Sequence, residues 1–140
     1  MPRAEQLLAV ELALELARAR LELKWLPFRW IAPGLGPLLP AAEEPAPLGG
    51  GLAPDPLLAR VSRVTGLLAA ALPWDCRCLV RAMAALRVLR RRGRATTLYL
   101  GVRRRSSLEA HAWLWCDGRV VTGGRERPDF TPVGRFGGTP

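Results

Sequence analysis

The residues able to do chemistry fall in two places: the run Asp75-Cys76-Arg77-Cys78-Leu79-Val80-Arg81-Ala82-Met83, and Ala110-His111-Ala112-Trp113, which holds the single histidine of the molecule. A thiol at the start of a helix is favoured as its thiolate, because free backbone N–H groups and the positive end of the helix dipole stabilise the anion. An imidazole on a strand can take the thiol's proton and give it back. Together the two groups suit a cysteine hydrolase or an acyl-transfer enzyme, in which the thiolate attacks a carbonyl. Cys78 is the candidate nucleophile and His111 the candidate general base. With Asp75 as N-cap, Cys78 is expected at the third helical position and Cys76 at the first, pointing aside. Most free cysteines are small buried hydrophobes; the helix position and the histidine set Cys78 apart from them.

The helix that must carry Cys78 has Leu79, Ala82, Met83, Leu86 and Leu89 at i, i+3, i+4 spacing, with Arg87, Arg90, Arg91 and Arg92 towards its end and Gly93 as its C-terminal cap. Thr96 to Val102 and Ala110 to Cys116 read as strands, and Asp117-Gly118 is a hairpin signal that leads into Arg119-Val120-Val121. On the second strand His111, Trp113 and Trp115 share one face, and Ala110, Ala112 and Leu114 the other. Upstream, Ala4 to Leu26 is a long amphipathic helix with leucines 7, 8, 12, 14, 16, 21 and 23 on a broad face and Glu15, Arg18 and Glu22 at pairing distance. Pro27 stops it. The segment 32–54 holds six prolines and ends in Gly49-Gly50-Gly51, so a linker is expected. Asp55-Pro56 then opens a helix running to Leu72. Beyond Gly123 the tail is rich in glycine and proline, with Phe130 and Phe136 as its anchors.

The length of 140 residues suits a single domain, divided as helix (1–31), linker (32–54) and core (55–140). Residues 1–75 carry seven basic and eight acidic side chains, and residues 76–140 fourteen and four, so the positive field sits on the half that holds the cysteine and the histidine. Nearly all the basic residues are arginine, which is also what a genomic compositional bias would leave. Three cysteines, two of them in one helical turn, argue against a disulfide framework and for a reducing cytoplasm. No signal peptide is visible, and charges interrupt the N-terminal apolar segment too often for a membrane span.

Cys-Leu-x-Arg on the helix, the Arg-Arg-Gly that ends it, Leu98-Tyr99-Leu100-Gly101-Val102-Arg103, Ala110-His111-Ala112-Trp113 and Asp117-Gly118 resemble the transglutaminase-like cysteine proteases that remove the leader from lasso-peptide precursors. The likeness covers roughly residues 55–122, with Leu26-Pro27-Phe28-Arg29 adding to it upstream. It implies an α+β, papain-like arrangement in which N-terminal helices and a nucleophile-bearing helix pack on a small antiparallel sheet. Cys78 and His111 take the catalytic positions, with no cofactor and no metal. It also implies a split form, which depends on a separate small leader-recognition protein and passes the freed core to an ATP-dependent cyclase. Arg103, Arg104, Arg105 and Trp113 are the residues expected to grip the leader or a partner.

One position departs from that pattern. The family sets an aspartate level with the histidine on the strand after the hairpin, where this chain has Gly123 and Gly124. Glu126 or Asp129 from the tail, a backbone carbonyl, or a plain dyad are the alternatives; Asp117, at the hairpin tip, is too far along the strand. Zinc held by Cys76, Cys78, Cys116 and His111 is disfavoured by the spacing and by Cys116 facing away from His111. Two other functions stay open: a non-catalytic nucleic-acid or anion-binding module built on Arg87 to Arg105, and an acyltransferase that uses an amine in place of water. Scarce aromatics near the arginines and the lack of a nucleic-acid motif weigh against the first, so no nucleic-acid partner is expected.

Overall fold

The computed structural model describes residues 2–40, 55–73, 77–124 and 127–137. Among them are four helices, α1 (Arg3–Trp25), α2 (Phe28–Leu35), α3 (Pro56–Ala71) and α4 (Cys78–Arg91), and five strands, β1 (Leu38–Pro40), β2 (Thr96–Arg104), β3 (Leu108–Cys116), β4 (Arg119–Thr122) and β5 (Thr131–Gly137). The strands form one antiparallel sheet in the order β1-β5-β2-β3-β4. The expected α+β architecture is therefore present.

α4 lies at the centre. Val80, Ala82, Met83, Ala84, Ala85, Leu86, Val88 and Leu89 are all buried, more of the surface than a single apolar stripe covers. A helix that is apolar nearly all round must be enclosed, and α4 packs on β2 and β3 with one side while α1 and α3 cover the other. The sheet face towards α4 adds Leu98, Ala112, Leu114, Cys116 and Phe136 to this core. The opposite face carries a smaller cluster of Tyr99, Trp113 and Trp115, joined by Val120 and Phe130. The strand alternation read from the sequence thus holds, and Phe130 and Phe136 anchor the tail on different faces.

Charge ties α1 to α4. Arg87 reaches Glu22 at 2.5 Å and Glu15 at 3.8 Å, Arg91 reaches Glu11 at 2.9 Å and Glu15 at 3.1 Å, and Arg92 reaches Glu11 at 2.8 Å. Partners that descend α1 as they climb α4 make the two helices antiparallel, so the C-terminal end of α1 lies beside the first turn of α4. Breaking a pair as enclosed as Arg87–Glu22 costs about 3–5 kcal/mol, because the remaining charge stays buried. Glu15 and Glu22 also meet Arg18 as expected, at 3.6 and 3.5 Å.

Three expectations need correction. The segment from Ala32 is not linker throughout: α2 runs to Leu35 with Pro33 inside it, and β1 pairs with β5 through Leu38↔Phe136 and Pro40↔Gly134. Residues 41–54 lie outside the described ones. On α1 only Leu8, Leu12, Leu16 and Ala19 of the apolar face are buried, while Leu7, Leu14 and Leu21 are exposed. The N-cap of α4 is Arg77, so Cys78 is the first helical residue and not the third. Among the described residues no helix is long and apolar enough to cross a membrane.

α3 begins where the sequence places it. The Asp55 carboxylate accepts from the Leu58 N–H at 3.3 Å, and Pro56 follows as the first helical residue. The same carboxylate accepts from Arg94 and faces Arg119 at 3.7 Å, which joins α3 to the sheet. The Arg94 guanidinium, helped by the Leu58 N–H, holds the Asp55 carboxyl below the usual carboxylate range. Such a group stabilises the fold above its unfolded value near 3.9 and ceases to do so as pH falls through its lower folded value. Asp55→Ala is expected to lower the unfolding free energy by about 1–2 kcal/mol at neutral pH. The gap from the parent protein should narrow below about pH 4, as read by urea denaturation at both pH values.

Candidate active site

β4 pairs with β3 from Leu114 to Cys116, and further back along β3 the strand edge passes to α4. There the Ala112 N–H donates to the Cys78 sulfur at 3.4 Å. Two covalent bonds separate that nitrogen from the Cα of His111, so the sulfur lies within about 6 Å of it. Cys78 comes from the helix-facing side of the sheet. His111 leaves β3 on the other face, and its Nε2 sits 2.9 Å from the Gly123 carbonyl oxygen, on the same edge. The two side chains thus reach the same edge of β3 from its two faces, and both are partly accessible.

The partner at Nε2 fixes the tautomer. A carbonyl oxygen only accepts, so the Nε2 of a neutral ring in this bond carries the hydrogen and Nδ1 carries the lone pair. The imidazole's side walls are aromatic: Trp113 lies 5.8 Å away between ring centroids and Phe130 5.0 Å. Trp113 itself stacks on Tyr99 at 5.8 Å, with the rings only 6° from parallel. Gly101, opposite His111 across β2, makes room for this wall, since a Cβ there would stand 2.6 Å from the Trp113 ring. Gly123 has φ +71, and a Cβ on it would meet the Ala112 oxygen at 2.6 Å and His111 Nε2 at 3.0 Å.

The first intrahelical donor of α4 is the Arg81 N–H, to the Arg77 carbonyl at 3.0 Å. The N–H groups of Cys78, Leu79 and Val80 lie ahead of it, and Arg77 makes no side-chain cap. Such donors beside a nucleophile can stabilise an oxyanion. Cys116 is different in kind. It is buried in the helix-side core, and burial, with the Asp117 carboxylate next, pushes its thiol up to about 12. It stays protonated and unreactive at neutral pH. Among the described residues no three His, Cys, Asp or Glu side chains gather as a metal would need; Cys76 lies outside the described residues.

The expected site residues fare unequally. Among the described residues the partner at Nε2 is a backbone carbonyl, that of Gly123, the alternative for which no side-chain signal exists. Asp129 turns to Arg103 at 3.5 Å, and Asp117 accepts from Arg94 at 2.8 Å at the hairpin tip. Glu126 lies outside the described residues. Trp113 is fully buried, so its expected contact with a leader is corrected: it supports the imidazole from inside the sheet. Arg103 is held by Glu109 at 2.9 Å and stacks over Phe130 at 4.6 Å, while Arg104 and Arg105 are exposed. Arg87, Arg90, Arg91, Arg92 and Arg94 all bond within the chain, which removes most of the arginine cluster from a nucleic-acid surface.

A family model of the Transglutaminase-like superfamily matches residues 23–135, a span that takes in α4, the histidine strand and most of β5. No curated protein and no solved structure matches the chain.

Gly123→Ala tests the histidine's setting. A side chain at that backbone conformation costs about 1–2 kcal/mol, and the crowding at Nε2 should disturb the bond to the carbonyl. Long-range 1H–15N NMR of the imidazole is expected to show the Nε2–H tautomer for the neutral ring in the parent protein and an altered pattern in the variant. An Nδ1–H tautomer in the parent would contradict the assignment.

Proposed function

The chain belongs to the transglutaminase-like superfamily, whose members are usually cysteine-dependent catalysts of protease or acyl-transfer type, and from that premise we propose that it is a cysteine peptidase which removes the leader from a lasso-peptide precursor during natural-product maturation. The observation that carries the reading is that the Cys78 sulfur accepts the Ala112 N–H, one residue along β3 from His111.

In the proposed reaction the Nδ1 lone pair of His111 takes the Cys78 proton, and the sulfur bonds to the carbonyl carbon at the leader–core junction. The N–H groups of the first turn of α4 receive the oxyanion. His111 returns its proton to the departing amine as the C–N bond breaks, which leaves a thioester. Water, deprotonated by the same imidazole, then releases the leader and restores the thiol. Through both steps the Gly123 carbonyl holds the Nε2–H and stabilises the imidazolium, the service for which the family's pattern uses aspartate. A carbonyl oxygen does this with a dipole in place of a full charge.

The precursor leader is the proposed substrate. A separate small recognition protein delivers it in the cytoplasm, and an ATP-dependent cyclase takes the product. Arg104 and Arg105, exposed at the β2–β3 turn, are the arginines best placed to meet the leader or that partner.

Masses of the products of a candidate precursor, mixed with the chain and the recognition protein, test this reading. Cys78→Ala and His111→Ala should each lower the rate by roughly a thousandfold or more, and Cys76→Ala should leave it within a few fold. Persistence of cleavage in Cys78→Ala would remove the assignment. A product joined to an added amine in preference to water would transfer the chain to the acyltransferases.

A further inference from the structure

Beside the first turn of α4 lies a cleft of about 450 Å³, lined by Arg20, Leu23 and Lys24 of α1 and by Arg77, Leu79 and Val80. Its size falls within the range of ordinary ligand clefts. Three cations stand over an apolar floor, and no acidic side chain is among the described residues that line it. Glu22, the carboxylate on that turn of α1, is bound to Arg87 and Arg18. Lys24 in the last turn of α1 suits the negative end of that helix's dipole. Arg77, the N-cap of α4, brings a third cation to the N-terminal end of that helix, the pole that favours anions. The combined field favours an anion, and Leu23, Leu79 and Val80 offer a surface for the methylenes that carry it. Arg77 and Leu79 are the chain neighbours of Cys78 on either side.

We propose that this cleft is a specificity subsite that receives a glutamate-like side chain of the substrate, within about three residues of the bond attacked by Cys78. The inference rests on the peptidase reading for its role beside the thiol, whereas the site itself is a matter of binding. The carboxylate meets Arg20, Lys24 and Arg77, and its methylenes lie on the leucines. Because the cations are partly exposed, the preference weakens as salt rises.

Two arms keep the two ideas apart. In the binding arm, fluorescein-labelled peptides alike save for Glu, Gln or Lys at one position are titrated onto full-length Cys78→Ala protein. The same protein is then tested with Arg20→Glu and Lys24→Glu added. Arg3→Glu with Arg60→Glu, the same change of charge at exposed positions elsewhere on α1 and α3, serves as the control. Circular dichroism establishes that each variant is folded. We expect about tenfold tighter binding of the Glu peptide than of the Lys peptide. That order should invert in Arg20→Glu/Lys24→Glu and persist in the control. Equal binding of the peptides, or the same change in both double variants, overturns the subsite.

The second arm compares kcat/KM for precursors bearing Glu, Gln or Lys at each of the three positions on either side of the cleaved bond. Cleavage with no charge preference at any of them rejects the subsite and leaves the peptidase. A charge preference in binding that Arg20→Glu/Lys24→Glu inverts, with no cleavage of any precursor, upholds the cleft and rejects the peptidase.

Discussion

One backbone hydrogen, on the nitrogen of Ala112, organises the centre of this molecule. A strand edge exposes an N–H that must find an acceptor, and β4 stops short of supplying one. The acceptor is the sulfur of Cys78. That contact sets the first turn of the central helix against the histidine strand, and it can form only because Cys78 opens the helix. One residue further on, the side chain would turn by about 100° around the helix axis and face α1 instead. The buried residues of α4 and the ion pairs that clasp α1 to it hold the rest of the helix in place.

The histidine is placed by different means. Its backbone is fixed by pairing with β2, Gly101↔His111, and its ring by the aromatic wall of Trp113 and Phe130. Gly123 closes the arrangement from the third side. At φ +71 with no Cβ, its chain can pass close to Ala112 and aim a carbonyl at Nε2. An aspartate in the same position would supply a stronger acceptor but needs a side chain, and the crowding at Gly123 excludes one. The dipolar partner and the glycine are therefore one solution and not two separate departures.

Much of this was legible in the residues. His111 stood out as the single histidine, and Cys78 stood out among three cysteines by its place at the start of a helix. Asp55-Pro56 announced a helix start through local chemistry alone. Asp117-Gly118 announced a hairpin for the same reason, and both residues have positive φ in the turn that forms. Features that depend on distant chain were hidden. β1 is three residues long and exists by pairing with β5, so Pro40 read as linker. Trp113 carried no sign that Tyr99 and Phe130 would enclose it. A carbonyl oxygen has no residue type, and the histidine's partner could not be read as a motif. The arginines of α4 read as a positive surface until the carboxylates of α1, more than sixty positions away in sequence, came to meet them.

In the proposed reaction the thiol and the imidazole act as one unit. The most direct measure is the rate at which iodoacetamide modifies Cys78 at pH 6, followed by peptide mass in the parent protein and in His111→Ala. If His111 takes the proton, Cys78 in the parent should be modified faster by roughly tenfold or more, because only the thiolate reacts. Equal rates in the two proteins would mean that the histidine does not reach the sulfur, and would contradict the account.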